Sequence, residues 1–353
     1  MKTLWFFLSL CLAIAISLPG CGGGGGGGAA LNVGEWTADS FPPHIRRLTQ
    51  FGERADWSHD GQRILFIEKT FGDVLEIELA TGIIRPMTRH YVHKGYTRAL
   101  YLSNGDILLS GSRTFSAENP VEARIRTAEL WVLSQTLDRP AVPLGAFCFE
   151  GPAVSCSNLR IAWTLNNENT PALLPAGVSQ FWQAFIDYTG GVPHLINKTL
   201  ILDIRSLPFV AGLETQNFRL PQERELTFTA GGFQGTEVMG LNLDSGAVVN
   251  YSLAPDQFDE PEGIFPDGRH TLVESDRHSR KGADNIDLYR LALDGSGRMD
   301  RLTFFNEGGR FKASNPVVRD DGRFFAFQAP HVGLPAGAGE GIYIFDLQAA
   351  AVQ

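Results

Sequence analysis

Hydrophobic and polar residues alternate along much of this chain with a period of two. Val74-Leu75-Glu76-Ile77-Glu78-Leu79 is the plainest case: Leu75, Ile77 and Leu79 fall on one side and the glutamates on the other. That is the pattern of a strand with one face packed and one wetted. It lies within a longer unit, Ala55 to Thr88. A strand ending in Trp57 runs into a turn at Asp60-Gly61, and an apolar strand follows at Ile64-Leu65-Phe66. The alternating strand comes next, then a turn at Thr81-Gly82 and a fourth strand ending in Thr88. Asp-Gly between apolar runs predicts a hairpin, because glycine accepts the positive φ that the turn requires.

The same order returns. Turns at Asn104-Gly105, Ser157-Asn158, Asp267-Gly268 and Asp321-Gly322 each sit between two apolar runs, and a weaker unit occupies the stretch from Asn217 to Leu253. The spacing gives six units, about 44 to 65 residues apart, each predicted to hold four strands. The last unit, after Gly341 to Leu347, lacks a fourth strand, and His44-Ile45-Arg46-Arg47-Leu48-Thr49 is a fourth strand with no unit before it. Its near-copies, Ile83 to Thr88 and Arg298 to Thr303, each end a unit. The expectation is a ring: an all-β, six-bladed propeller over residues 44–353, closed by an N-terminal strand that completes the last blade.

The stretches "RRLT…ADWSHDGQRILF" and "DRLT…NPVVRDDGRFFAF…IYIFDL" resemble the WD-like β-propeller repeats of TolB-type proteins, over roughly residues 44–347. The resemblance implies the six-bladed fold and says little about activity, since propellers host many.

Composition adds a cellular address. Lys2 followed by the apolar run Leu4 to Leu18 reads as a signal peptide, residues 1–20. Leu18-Pro19-Gly20-Cys21 is similar to the lipobox of bacterial lipoproteins, which implies a lipid on Cys21. Seven glycines, Gly22 to Gly28, open a tether over residues 21–43. The expected location is the cell envelope, as an outer-membrane lipoprotein facing the periplasm or exterior. A formal charge of −9 with no Lys/Arg block argues against nucleic-acid binding. Of the four cysteines, Cys148 and Cys156 remain as a candidate disulfide; the strand between them argues against it, since it would hold the thiols apart.

Candidate chemistry gathers where inner strands begin and loops converge on a central funnel. Arg54, Arg98, Glu150, Glu214, Glu260 and Lys312 are expected there, lining the channel or binding a polar ligand. The polar stretch Glu274 to Tyr289 lies between the second and third strands of unit five and brings His278 to the same end. His90, His93 and His331, on other connecting loops, are candidates to share a metal. Phe181, Trp182, Phe185 and Tyr188 follow helical spacing and predict a short amphipathic helix. Trp57 and Trp163 are expected between blades. No Gly-x-Ser-x-Gly elbow or phosphate-cradling pattern appears. The leading expectation is a monomeric, non-catalytic binding module for an envelope protein or glycan, without cofactor. The alternative is a metal-dependent polysaccharide lyase or hydrolase with its site in the funnel.

Overall fold

The computed structural model describes residues 41–120, 122–335 and 337–351. The signal, lipidation and tether expectations lie outside these residues. After β1 (Ile45–Arg47), strands come in fours. The first group is β2 (Glu53–Trp57), β3 (Arg63–Ile67), β4 (Val74–Glu78) and β5 (Ile84–Pro86). The second is β6 (Arg98–Tyr101), β7 (Ile107–Ser112), β8 (Ala128–Leu133) and β9 (Val142–Phe147). The third is β10 (Phe149–Val154), β11 (Arg160–Asn166), β12 (Ser179–Asp187) and β13 (His194–Asp203). The fourth is β14 (Gly212–Phe218), β15 (Glu225–Gly231), β16 (Gly235–Asn242) and β17 (Val248–Asn250). The fifth is β18 (Gln257–Ile264), β19 (His270–Ser275), β20 (Asp287–Ala292) and β21 (Met299–Arg301). Last come β22 (Ser314–Val318), β23 (Phe324–Gln328) and β24 (Ile342–Asp346).

Within each group neighbours pair antiparallel in chain order, and a two-residue parallel contact between β16 and β18 joins the fourth and fifth groups. The first strands touch in sequence: β2 with β6, β6 with β10, β10 with β14, β14 with β18, β18 with β22, and β22 with β2. This is an all-β propeller arrangement.

β1 lies antiparallel on β24, Ile45 opposite Phe345 and Arg47 opposite Tyr343. It stands to β24 as β21 stands to β20, where Arg301 is opposite Tyr289. The threonine that ends each copy of the motif explains why the motif recurs. Thr88 Oγ1 accepts from the backbone of Val74 at 3.0 Å, Thr303 Oγ1 from Leu288 at 2.9 Å, and Thr49 Oγ1 from Ile342 at 2.9 Å. Each satisfies a buried N–H at the start of the third strand, a group that would otherwise cost about 1–3 kcal/mol. The arginines repeat too: Arg47 Nε donates to its own Thr49 carbonyl at 3.1 Å and Arg301 Nε to that of Thr303 at 2.9 Å.

The core lies between successive sheets. Trp163 and Phe181 of the third group pack on Phe228 of the fourth, the two phenylalanine rings edge-on at 5.2 Å. Burial of each is worth about 1.5–3 kcal/mol. Trp57 is buried against Ile342 and Ile344, and its Nε1 donates to the Val317 carbonyl at 3.1 Å. Both tryptophans therefore pack between sheets. The turns at Gly61, Gly105, Gly268 and Gly322 share one bond, the glycine N–H to the carbonyl three residues earlier. At Gly268, φ is +64° and an added Cβ would stand 1.8 Å from the Leu220 carbonyl oxygen, so only glycine fits.

The helix predicted over Phe181 to Tyr188 is instead strand β12, followed by the long β13. Phe181, Ala184 and Ile186 are buried while Gln183, Phe185 and Asp187 are not, a strand pattern shifted mid-way, with register irregularities against β13 at Phe181/Trp182 and Gln183/Phe185. The irregularities insert extra residues in β13, whereas β12 runs in unbroken register with β11. Cys148 and Cys156 are free, the first buried and the second exposed.

Candidate functional site

One narrow cavity is lined by residues from β2, β6, β10, β14, β18 and β22, the first strand of every group. It has two polar ends. At the funnel end, where these strands begin, the strands are bulged. Arg54, Glu150 and Asn315 hold φ of +54°, +57° and +46°, beside register shifts in β2, β10 and β22. Such backbone costs a non-glycine residue about 1–2 kcal/mol and re-aims its side chain, a device concentrated at functional sites.

Five of the expected residues meet here. Arg54 is buried; its backbone N–H donates to Gln328 Oε1 at 2.7 Å and its Nη1 to the Thr97 carbonyl at 2.6 Å. Its Nε and Nη2, and Nε of Arg98, are buried without hydrogen-bond partners. Arg98 lies 3.8 Å from Glu262, and these side chains keep 15% and 8% of their surface, so the cluster is largely withdrawn from water. Arg124, carried in by the π-helical turn Glu122–Arg126, pairs with Glu150 at 2.7 Å. Glu274 accepts from the Asn315 backbone at 2.6 Å, and the Asn315 amide donates to Glu262 at 3.1 Å.

Burial sets the charge state. Burial, then Arg124 and Arg98, bring the Arg54 guanidinium down to about 9. Burial and then Glu260 and Glu150 push Glu214 well above the carboxylate range; burial, Glu262 and Glu274 do the same to Glu260. Glu274 is raised to about 8 by burial and Glu262. Burial alone would raise Glu150 as well, but Arg124 and Arg54 hold it low. These shifts favour the protonated form of Glu214, Glu260 and Glu274, which weakens the negative charge facing Arg54, Arg98 and Arg124.

The other two expected residues lie off the first strands, Lys312 still close enough to act on Glu274. Lys312 is buried but lies ahead of β22, bonding Asp284 at 3.2 Å; Asn315 takes the position that Arg54 and Glu150 hold in their strands. The loop between β19 and β20 does carry His278, but the ring bonds Tyr289 at 3.2 Å and Asn306 at 3.1 Å rather than joining the cluster. His90, His93 and His331 do not meet: they bond the Arg139 carbonyl, Asp73 and Glu340 respectively.

The other end, beyond the Asp-Gly turns, had no place in the sequence reading. His59 Nδ1 lies 3.0 Å from Asp320 Oδ2, and with Cys156 these residues bring three donor atoms within 4.8 Å of one another. The Asp320 hydrogen bond raises the His59 imidazole against the effect of burial, and the nearby Leu102 carbonyl acts in the same sense; Nε2 has no partner of acceptable hydrogen-bond geometry. Cys156 is exposed as a residue, yet the surroundings of its thiol, with the carboxylates of Asp320, Glu223 and Asp56 close by, push that thiol up. Asp56, itself raised by burial to about 7, accepts from the Tyr101 backbone at 2.7 Å.

No protein-family model matches this sequence, and no curated protein does. Solved structures do. A calcium-binding regucalcin from Agrobacterium tumefaciens is 12% identical with a TM-score of 0.55, over 85% of this chain and 92% of that one. The fold is a β-propeller. A gluconolactonase from Xanthomonas campestris is 12% identical with a TM-score of 0.53, over 86% of this chain and 89% of that one. TolB from Acinetobacter baumannii is 14% identical with a TM-score of 0.47, over 83% of this chain; the match spans 65% of that TolB chain. Likeness at this identity speaks for fold alone.

Proposed function

We propose that this protein is a lipid-anchored propeller of the cell envelope that binds, without turnover, an anionic segment of an envelope protein or glycan at its funnel end. The ring has six blades, and β1 completes the last. Six first strands in mutual contact and the Thr49 bond to Ile342 support that closure. The lipobox-like stretch before Cys21 and the glycine run support the anchor.

One observation carries the binding function. Arg54 and Arg98, from separate strands, offer buried guanidinium N–H groups with no acceptor, beside glutamates whose protonated form is favoured. Donors in this state fit a carboxylate flanked by hydroxyls, which guanidinium groups bind in a fork.

The test uses the purified full chain in detergent with acidic envelope glycans and envelope protein extracts. Capture should weaken at least 10-fold in Arg54→Gln, and Glu214→Gln, which changes no charge, should bind as wild type does. Product release from a captured glycan, lost in Arg54→Gln, would replace binding with catalysis.

A further inference from the structure

We propose that the turn end of the channel is a second site, one that binds a single transition-metal dication, Zn²⁺ by its donors, through His59, Cys156 and Asp320. The three residues follow β2, β10 and β22 and so come from three different sheets, yet one donor atom of each lies within 4.8 Å of the others. Imidazole nitrogen, thiolate sulfur and carboxylate oxygen form the mixed set that Zn²⁺ takes at about 2.0–2.3 Å, with neighbouring donors about 3.3–3.8 Å apart. Closing from the observed spacing needs about 1 Å of side-chain rotation, well within what His59 and Asp320 can make at their partial exposure.

Three further features favour a cation there. His59 Nε2 is a buried atom whose neighbouring acceptor, the Leu102 carbonyl, lies outside good hydrogen-bond geometry. Asp56, Asp320 and Glu223 place carboxylates around Cys156, which lacks a cationic neighbour among the groups that shift it. The cavity reaches all three donors, giving the ion a path. The three side chains also stand on short turns pinned by backbone hydrogen bonds, the Ser58–Gly61 and Arg319–Gly322 turns directly and Cys156 through its N–H to Glu223 at 2.8 Å. On binding, the Cys156 S–H bond gives its proton to solvent as the S–Zn bond forms, and the His59–Asp320 hydrogen bond opens. Nothing is oxidised or reduced. A fourth position is left for water or for Asp56.

The full chain, free of any affinity tag, is purified in detergent with reductant, stripped with chelator, and titrated with Zn²⁺ and separately with Co²⁺. One equivalent of zinc should remain per chain after gel filtration. The Co²⁺ form should show a thiolate-to-cobalt charge-transfer band, and zinc should slow alkylation of Cys156 more than 10-fold by peptide mapping. Cys156→Ser should lose the band, and His59→Gln should weaken Zn²⁺ binding by more than the roughly 10–100-fold that loss of an outer-shell partner brings. Circular dichroism separates these losses from unfolding. A wild-type chain that retains no stoichiometric zinc, or a cobalt spectrum unchanged in Cys156→Ser, overturns the proposal.

Discussion

At the funnel end of the channel the polar residues sit on bulged strands, and at the turn end they stand on the reverse turns that follow those strands. Both ends use the same repeat. Five residues separate Arg54 from His59 and Asn315 from Asp320, roughly 16 Å of extended strand. The funnel end holds many charges of both signs that partly neutralise one another, with the leftover strain kept in left-handed backbone at Arg54, Glu150 and Asn315. The turn end holds three different donors on relaxed turns. A site of the first kind can recognise shape and charge. A site of the second kind has the chemistry of a small ion. One repeat position, varied around a ring, thus supports two unrelated kinds of binding.

The comparison has meaning only if the ring closes, so the largest effect belongs to β1. Beginning the chain after Gln50 removes the β1–β24 ladder, the Thr49 bond to Ile342 and the burial of Ile45. Ladder bonds contribute about 0.5–1.5 kcal/mol each and Ile45 about 1.5–3 kcal/mol. Together they approach the 5–15 kcal/mol stability of a typical domain. This truncation should unfold or aggregate, whereas one beginning after Gly34 should melt as the full chain does. Equal melting temperatures would break the ring and both sites with it.

Next in size is a contrast within the funnel. Arg98 faces Glu262, Glu214, Glu150 and Glu260, and these acids raise it despite burial. Arg98→Ala leaves them without that cation and should cost about 3 kcal/mol, the usual loss when one partner of a buried pair goes. Thermal melting should fall by about 5 °C or more. Glu214→Gln, replacing an acid that burial, Glu260 and Glu150 push well above the carboxylate range, should shift melting by less than about 2 °C. A large loss in Glu214→Gln would mean that the acid is ionised and the charge assignment is wrong.

The fold was legible in the sequence because strand alternation, Asp-Gly turns and the Arg-x-Thr ending are local signals with local causes: a wetted face, a positive φ, a threonine that satisfies one buried N–H. Four of the funnel residues were legible because they fall six or seven residues ahead of a turn, where the first strands begin: Arg54 before Asp60, Arg98 before Asn104, Glu150 before Ser157 and Glu260 before Asp267. Lys312 lies nine residues ahead of Asp321, outside that range, while Asn315 stands six ahead, as Arg54 does before Asp60; β12 reads as a helix because Phe181, Trp182, Phe185 and Tyr188 happen to fall at helical spacing. His59, Cys156 and Asp320 went unseen although they occupy one repeat position, immediately before Asp60-Gly61, Ser157-Asn158 and Asp321-Gly322. Reading that position down the repeats would have found them. Their closeness is a property of the ring, since they are far apart in the chain.

A pH profile sharpens the two-ended picture. Asp56 at the turn end and Glu274 at the funnel end are raised, to about 7 and about 8, from unfolded values near 4. For a raised group the folded state holds the extra proton. The stability this confers is complete below about pH 4 and is lost as pH climbs through about 7 and then about 8. Melting temperature should therefore fall between pH 5 and pH 8.5 by several degrees, about 2–4 °C for each kcal/mol lost. Asp56→Asn should remove the lower part of that fall and Glu274→Gln the upper part. A profile flat in the wild type, or one that rises over this range, would show that these carboxyls are ionised in the fold.

The smallest effect is the most discriminating between the ends. His59 and Asp320 keep 31% and 43% of their side-chain surface, so their pairing is worth at most about 1 kcal/mol, and His59→Gln should cost no more than that without metal. Its effect should also be independent of the funnel. Sites more than about 7–10 Å apart with no shared partner add within about 0.5 kcal/mol. His59 and Glu274 have no partner in common: His59 lines the cavity at its turn end, while Glu274 accepts from Asn315, which lines it at the funnel end. The double variant His59→Gln, Glu274→Gln, followed by denaturant melts of all four forms, should then show no interaction beyond that limit. With zinc bound, His59→Gln should cost more while the coupling to Glu274 stays near zero. A coupling above 1 kcal/mol would mean that charge at one end is felt at the other, and the channel would have to be treated as a single electrostatic site with two openings.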